Sequence, residues 1–216
     1  MSANKVQFIY ENKLIELENP DPNQTILNFI REELKKTGTK EGCAEGGCGA
    51  CTIVLGELEN KKIKYKAINS CISFTPTLHG KQLIVVENLV SKNGSYHPVQ
   101  DAMAKYHASQ CGFCTPGFVM SIFAMYKNKN NKNEENIKDA ISGNLCRCTG
   151  YRPIIDAARS LKKKNSYDDF DRNNSKIIKL LKKINNKNII IKHKNKKYFA
   201  PKTVNELKKI IQQNPN

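Results

Sequence analysis

The sequence lacks tryptophan, and aromatic residues make up only 7% of its 216 residues. It also lacks a long hydrophobic run, since no apolar stretch approaches the roughly 20 residues that a membrane-spanning helix needs. The N-terminal stretch MSANKVQFIYENKLIEL alternates between polar and apolar residues and has no signal-peptide pattern. These absences predict a cytoplasmic protein without a membrane partner.

Arginine is scarce, with 5 residues against 31 lysines, although the net charge is +16. The basic excess is concentrated near the C-terminus: residues 160–216 carry a surplus of 12 positive charges, and residues 1–159 a surplus of only 4. Nucleic-acid-binding surfaces usually combine arginine forks and aromatic side chains with positive charge. The lysine excess therefore predicts a solvated basic surface and no nucleic-acid partner.

The motifs of several enzyme classes are also missing. No G-x-G-x-x-G loop is present to bind a dinucleotide, and serine, histidine and aspartate form no triad-like group. The four histidines are scattered, and an isolated histidine is more often structural than a ligand or base: they are His79, His97, His107 and His193. We expect no catalytic residue on this chain, so that substrate chemistry belongs to a partner.

The first part of the chain, residues 4–92, predicts a small α+β domain. Lys5–Leu17 forms two alternating runs around Glu11-Asn12, which is typical of a hairpin. A helix capped by Thr25 and ended by Gly38 should follow. Three further runs predict strands: TIVLGEL, KIKYKAINSCI and QLIVVENL. This order fits a β-grasp-like unit.

The second part, residues 93–164, predicts an all-α four-helix domain. Its helices lie in the stretches DAMAKYHAS, PGFVMSIFAMYKN, EENIKDAISGN and PIIDAARSLKKK. A linker is expected at 165–190, because NSYDDFDRNNS is polar and charged, and one helical piece is expected in the stretch that follows these eleven residues. Residues 191–216 predict a strand pair and a final helix.

Against these absences, cysteine is abundant. Eight cysteines in a chain without an export signal indicate metal or redox roles before disulfides. The first set is Cys43, Cys48, Cys51 and Cys71, and its C-x4-C-x2-C…C spacing is the plant-type [2Fe–2S] pattern. Intervening glycines permit close backbone approach to a compact inorganic core. Zinc sites more often use two pairs of closely spaced cysteines with a longer stretch between the pairs. The spacing here therefore favours an iron–sulfur site.

The second set is Cys111, Cys114, Cys146 and Cys148, arranged as C-x-x-C and C-x-C. A thioredoxin-like dithiol is disfavoured because no βαβ context surrounds it and a second close pair follows. Helix N-termini beside the pairs would stabilise thiolates. The residues alone leave iron–sulfur and zinc both open for this set.

Four separated motifs carry a more specific resemblance: KEGCAEGGCGACTIVL, AINSCISF, HPVQDAMAKYHASQCGFCTPGFVMS and GNLCRCTGYRPIIDA. Together they resemble the iron–sulfur portion of the xanthine dehydrogenase (molybdenum hydroxylase) family over roughly residues 4–164. The resemblance implies two [2Fe–2S] clusters. The first has ligands Cys43, Cys48, Cys51 and Cys71, in a ferredoxin-like β-grasp domain, and the second has ligands Cys111, Cys114, Cys146 and Cys148, in a four-helix domain.

The resemblance also implies partners. A molybdopterin-binding large subunit should lie near the helical cluster, and Gln110 matches a position that hydrogen-bonds the pterin. The alternative for Gln110 is an ordinary helix-terminal glutamine. A FAD-binding domain or subunit should lie near the other cluster. The stretch KKYFAPKTVNELKKIIQQNPN resembles the start of such a domain, without its glycine-rich loop. We therefore expect a truncated or split copy that does not itself hold FAD.

The function implied is electron transfer in a xanthine dehydrogenase-like hydroxylase, from a purine-oxidising molybdenum site through both clusters to FAD and NAD. Within the family, the alternative is the small subunit of an aldehyde or N-heterocycle hydroxylase, of carbon monoxide dehydrogenase-like type. From another class, the alternative is a zinc-stabilised binding module with a basic tail.

Overall fold

A computed structural model describes residues 4–128, 133–161, 168–184 and 189–215. It contains a five-stranded sheet, a helical part, and a final hairpin with one helix. The mixed α+β class predicted from the sequence is confirmed. Within the described residues, no helix has the length and apolar character needed to cross a membrane.

The five-stranded sheet has the strand order β2-β1-β5-β3-β4. Its strands are β1 (Lys5–Tyr10), β2 (Lys13–Glu18), β3 (Thr52–Glu59), β4 (Lys62–Asn69) and β5 (Gln82–Ile84). The predicted N-terminal hairpin is confirmed, with Glu11 and Asn12 both at positive φ in the turn between β1 and β2. β3 pairs antiparallel to both β4 and β5, while β1 runs parallel to β5.

Two elements are shorter than the sequence pattern predicts. Helix α1 (Ile26–Asn28) is capped by Thr25 as expected and continues as a π-helical turn, Phe29–Glu33. It does not reach Gly38, because Lys35 adopts φ +55° and the Arg31 guanidinium binds the carbonyl oxygens of Thr37 and Thr39.

The apolar run QLIVVENL is likewise a strand only over β5. Its second half forms a 3-10 turn, Val86–Leu89. The Asn88 side chain accepts a hydrogen bond from the Val85 amide at 2.9 Å, and the Asn88 amide donates to the Val85 carbonyl at 3.0 Å. These local bonds replace the ladder bonds that would have extended the strand.

Four helices follow, close to the predicted positions: α2 (Pro98–Lys105), α3 (Thr115–Lys127), α4 (Glu134–Ile141) and α5 (Arg152–Ser160). Helix α3 packs against α2, α4 and the sheet, and its Phe118 and Phe123 are fully buried. The same apolar cluster includes Val54, Tyr65 and Ile84 from the sheet. The helical part therefore shares one core with the sheet.

Residues 165–190, where a linker and a helical piece are predicted, contain helix α6 (Asp169–Lys183). The helix forms because Asp168 caps it and because Ile177 and Leu181 recur at helical spacing; both pack with Ile9 of β1. Beyond it lie β6 (Ile190–His193), β7 (Lys196–Phe199) and α7 (Val204–Gln213), as expected for the strand pair and final helix.

The start of α6 is held by a buried ion-pair cluster. Asp168 accepts from Nε2 of the buried His97 at 3.0 Å and from Nζ of Lys127 at 2.9 Å. Burial alone would raise the pKa of Asp168, but the hydrogen bonds from His97 and Lys127 hold it well below its usual range. Since the other end of α6 packs on β1, the helix braces the helical part against the sheet.

The two parts also meet through closely packed backbone. A Cβ atom on Gly117 of α3 would lie 2.2 Å from the carbonyl oxygen of Gly49, and a Cβ on Gly49 would lie 2.2 Å from that of Gly143. Gly49 has φ +71° as well. Only glycine permits this approach at positions 49 and 117.

We predict that Asp168→Asn weakens the brace. Loss of one partner in a largely buried pair leaves Lys127 without full compensation and should cost about 3 kcal/mol. Asp169→Asn is the matched control, because its ion pair with Arg172 is exposed and should be worth under about 1 kcal/mol. Chemical denaturation measures both.

The pH dependence of the Asp168 effect has a definite sign. Because the folded state lowers the pKa of Asp168, the ionised carboxylate stabilises the fold at pH values above the ordinary pKa of 3.8. This stabilisation is lost as the pH falls below 3.8 towards the folded-state pKa. The difference in free energy of unfolding between wild type and Asp168→Asn should therefore be largest at neutral pH and decrease in acid. A difference that is constant with pH would contradict the ion-pair explanation.

We predict that Gly117→Ala destabilises the protein, by about 1–3 kcal/mol, because its methyl group would collide with the Gly49 carbonyl. Gly143→Ala is the matched control, since a Cβ there meets nothing within 4 Å. Thermal unfolding of the two variants checks the prediction. Equal melting temperatures would show that the backbones are not packed as described.

Candidate metal centres

The first cysteine set is built on the loop between α1 and β3. The chain winds around the sulfur of Cys43, with Ala44 and Gly46 at positive φ. The Glu45 amide hydrogen-bonds to this sulfur; with further bonds from the Cys48 thiol and from the amides of Cys48 and Gly47, it lowers the pKa of Cys43 to about 7. Backbone N–H groups aimed at one sulfur favour a thiolate, the form that binds metals.

Cys51 and Cys71 complete the set from the sheet. Cys51 directly precedes β3 and Cys71 follows β4, and the pairing of Thr52 with Asn69 brings the two cysteines together. Their sulfurs lie 3.2 Å apart, and both side chains are buried beside Leu27. Burial, and then the neighbouring Cys51 thiol, raise the pKa of Cys71 to about 12.

Two glycines shape the loop around the sulfurs. A Cβ on Gly42 would lie 2.8 Å from the Cys48 sulfur, and a Cβ on Gly46 would lie 2.6 Å from the Ile72 side chain. A side chain at position 42 would occupy the space beside the Cys48 thiol, and one at position 46 would collide with Ile72. The loop thus forms a cradle that accepts a compact group and little else.

The second cysteine set comes from two helix junctions. Cys111 and Cys114 lie between α2 and α3, with Cys114 at the N-cap of α3, and Cys146 and Cys148 lie between α4 and α5. The sulfurs interact as pairs, Cys111 with Cys148 and Cys114 with Cys146. The first pair is exposed and the second is partly buried.

The partly buried pair has one thiol that ionises easily. Burial would raise the pKa of Cys146, but the Thr149 hydroxyl at 3.2 Å and the amides of Thr149 and Cys148 overcome it and lower the pKa to about 7. Burial, with Cys146 next to it, raises the pKa of Cys114 to about 12. The Tyr151 hydroxyl accepts a hydrogen bond from the Cys146 amide at 2.9 Å. This bond holds the Cys146–Cys148 segment against the start of α5.

A backbone hydrogen bond directly links the segments that carry the two cysteine sets. The Leu145 amide donates to the carbonyl oxygen of Cys48 at 2.9 Å. Cys48 belongs to the first set, and Leu145 is covalently joined to Cys146 of the second. The shortest chemical connection between the sets therefore crosses one hydrogen bond.

The donor chemistry fits iron–sulfur clusters. All eight cysteines are free thiols, arranged as four sulfur pairs, and cysteine thiolates ligate [2Fe–2S] clusters. The glycine cradle and the amides around Cys43 suit a negatively charged inorganic group. Zinc also accepts thiolates. Among residues 4–128, 133–161, 168–184 and 189–215, no group of three or more His, Cys, Asp or Glu side chains has the geometry of a site for a single metal ion.

Gln110 is exposed and directly precedes the exposed Cys111. Sequence reasoning missed three other residues in and around this centre: Asn144, Thr149 and Tyr151. All lie in GNLCRCTGYRP, so the motif contained them, but their partners emerge only from the fold. Two of the scattered histidines have structural roles: His97 binds Asp168, and His79 accepts from the Gln7 amide at 3.1 Å.

Family models match both cysteine sets. The model of a 2Fe-2S iron-sulfur cluster binding domain matches residues 8–75, and that of a [2Fe-2S] binding domain matches residues 85–159. The first range contains the Cys43 set and the second contains the Cys111 set.

The chain is similar to parts of larger proteins. It is 49% identical to a xanthine dehydrogenase of Blastobotrys adeninivorans over 161 residues, which are 73% of this chain and 11% of the relative. It is 41% identical to aldehyde oxidase 4 of Cavia porcellus over 160 residues, 73% of this chain and 12% of the relative. The chain thus spans about a tenth of the length of these relatives.

The chain also covers most of one chain in a solved structure. One chain of quinoline 2-oxidoreductase from Pseudomonas putida 86 is similar with a TM-score of 0.60 and 31% identity, covering 72% of this chain and 90% of that one. The two cluster-binding domain matches, the relatives and this structure agree. The chain belongs to the xanthine dehydrogenase (molybdenum hydroxylase) family, of which it represents the portion with two [2Fe–2S]-binding domains.

Proposed function

We propose that this chain conducts electrons in a xanthine dehydrogenase-like molybdenum hydroxylase. The observation that carries the proposal is the arrangement of eight free thiols in two sets that are connected by the Leu145–Cys48 hydrogen bond. Two centres that are connected in this way in the folded chain suit stepwise transfer of single electrons.

In this proposal each set holds one [2Fe–2S] cluster. The first cluster has Cys43, Cys48, Cys51 and Cys71 as ligands, and the second has Cys111, Cys114, Cys146 and Cys148. Such clusters supply one-electron oxidation and reduction. The chain's own groups tune them: the amides around Cys43 and the Thr149 hydroxyl beside Cys146 favour negative charge on sulfur.

The exposure of the cysteines supports a direction of transfer within this proposal. Cys111 and Cys148 form the exposed edge, with Gln110 beside them, and this edge suits contact with a molybdopterin-binding subunit or domain. Cys146 of the partly buried pair directly follows Leu145, whose amide binds the Cys48 carbonyl. We propose that electrons enter at the exposed edge, cross to the first centre, and continue to a FAD-binding domain and then NAD.

We also propose a division of the chain into domains. Residues 4–92 form a β-grasp ferredoxin-like domain, and residues 93–164 form a four-helix cluster domain. Residues 191–216 start a FAD-binding domain whose flavin site lies elsewhere. The exposure of Val204, Leu207 and Ile211 on α7 supports this, since that apolar face suits further protein. A cytoplasmic location accompanies the proposal.

The substrate proposed is a purine such as hypoxanthine or xanthine. A second candidate is an aldehyde or an N-heterocycle, because this chain is almost as similar to aldehyde oxidase 4 as to several xanthine dehydrogenases, and because it also resembles quinoline 2-oxidoreductase. Identification of the molybdenum subunit that copurifies with the chain, and of the compound it oxidises, separates these candidates.

Cluster content tests the proposal. Purified under anaerobic conditions with iron and sulfide, the chain should be red-brown and hold two irons and two labile sulfides in each of its two cluster-binding domains. On reduction it should give two distinct paramagnetic signals. A colourless protein with stoichiometric zinc would instead establish the zinc-stabilised binding module.

Paired variants test the division into two sets. Cys146→Ser should halve the iron content and remove one paramagnetic signal, because its set loses a thiolate, while the other signal stays unchanged. Cys43→Ser should also halve the iron content, but it should remove the other paramagnetic signal and leave the first unchanged. Loss of both signals in both variants, with the fold retained by circular dichroism, would refute the division into two sets.

A further inference from the structure

Asn144 is a buried polar residue that the family assignment leaves without a role. It lies after α4, two residues before Cys146, and its exposed fraction is only 3%. Its Nδ2 donates to the carbonyl oxygen of Gly49 at 2.9 Å and to Oγ1 of Thr52 at 3.1 Å. Its Oδ1 accepts from the Ser121 hydroxyl at 2.6 Å. The donor end and the acceptor end of the Asn144 side-chain amide therefore both have hydrogen-bond partners.

The partners of Asn144 stand next to cysteines of the first set. Gly49 directly follows Cys48, and Thr52 directly follows Cys51. Ser121 lies on α3, the central helix of the part that carries the second set. One side chain thus connects the loop of the first set, the helix behind the second, and the chain segment leading to Cys146.

The Gly49 carbonyl is held unusually firmly. It accepts from the Thr52 amide at 3.1 Å and from the Thr52 hydroxyl at 2.7 Å, in addition to the Asn144 amide. This carbonyl belongs to the backbone beside Cys48, whose own carbonyl accepts from Leu145. The Asn144 side chain and the Leu145 amide, which are neighbours in the sequence, therefore bind the same loop at adjacent residues.

We propose that Asn144 is a positioning residue that fixes the separation and relative orientation of the two cysteine centres. The inference rests on the proposed function, because it concerns how electrons cross between them. Asn144 needs a donor toward Gly49 and an acceptor toward Ser121 at the same time, which an amide supplies. A carboxylate at this place would direct an acceptor at the Gly49 carbonyl.

A second amide in the same structure provides a matched control. Asn128, after α3, donates to the carbonyl of Tyr65 at 2.7 Å and accepts from its amide at 3.0 Å. It therefore joins the helical part to β4, as Asn144 joins it to the loop before β3. Its contacts involve no residue next to a cysteine. Loosening Asn128 should weaken the interface without moving the centres.

The test measures the magnetic interaction between the two reduced clusters. Spin–spin splitting in low-temperature electron paramagnetic resonance depends on the separation and orientation of the centres. We expect the wild-type chain to show splitting, Asn144→Ala to lose it while keeping its iron and sulfide, and Asn128→Ala to keep it despite a lower melting temperature. Ser121→Ala retains the Gly49 contact and should narrow the splitting only in part; it serves as the second variant if Asn144→Ala fails to fold.

Hydrogen exchange provides a readout that needs no cluster. The amide of Leu145 should exchange faster in Asn144→Ala than in wild type and remain unchanged in Asn128→Ala. Unchanged splitting and unchanged exchange in Asn144→Ala would overturn the inference, and so would equal effects of the two alanine variants. A wild-type chain that binds no clusters but shows the expected exchange would refute the proposed function while leaving the positional role of Asn144 standing.

Discussion

The contact between the Cys48 loop and the segment before Cys146 is the constraint on which the rest of the structure depends. This contact joins two thiol-lined sites, one on the loop before β3 and at the end of β4, the other at the junctions between helices. Here the backbones of positions 49, 117 and 143 approach without intervening side chains, and Asn144 and Leu145 supply the hydrogen bonds. Because the Asn144 side chain is buried, its polar atoms need partners, and this requirement favours one register between the two parts.

The remaining architecture supports that contact. The sheet and the helices share one apolar cluster, so they cannot separate without exposing Phe118 and Phe123. Helix α6 adds a brace from outside, since it is anchored at Asp168 on the helical part and packs on β1 at its other end. The cluster-binding loops are thereby held by packing at a distance and by hydrogen bonds close by.

Sequence patterns predicted what is local. The cysteine spacing, the Thr25 cap, the turn at Glu11-Asn12 and the helices α2–α5 all depend on neighbours within a few residues. The patterns failed where a few nearby bonds decide the conformation, as at Lys35 after α1 and at Asn88 after β5. They also missed the role of Asn144, because its partner Gly49 is 95 residues away. The pairing of cysteine sulfurs within each set likewise depends on strand register and helix placement.

Two distinct one-electron centres on one chain can be counted directly. A reductive titration of the cluster-loaded chain, followed by its visible absorption, measures the number of electrons accepted. We expect each chain to accept two electrons, one per [2Fe–2S] centre, in two steps that differ in midpoint potential. Uptake of a single electron, or no reducible centre in a correctly folded chain, would contradict it.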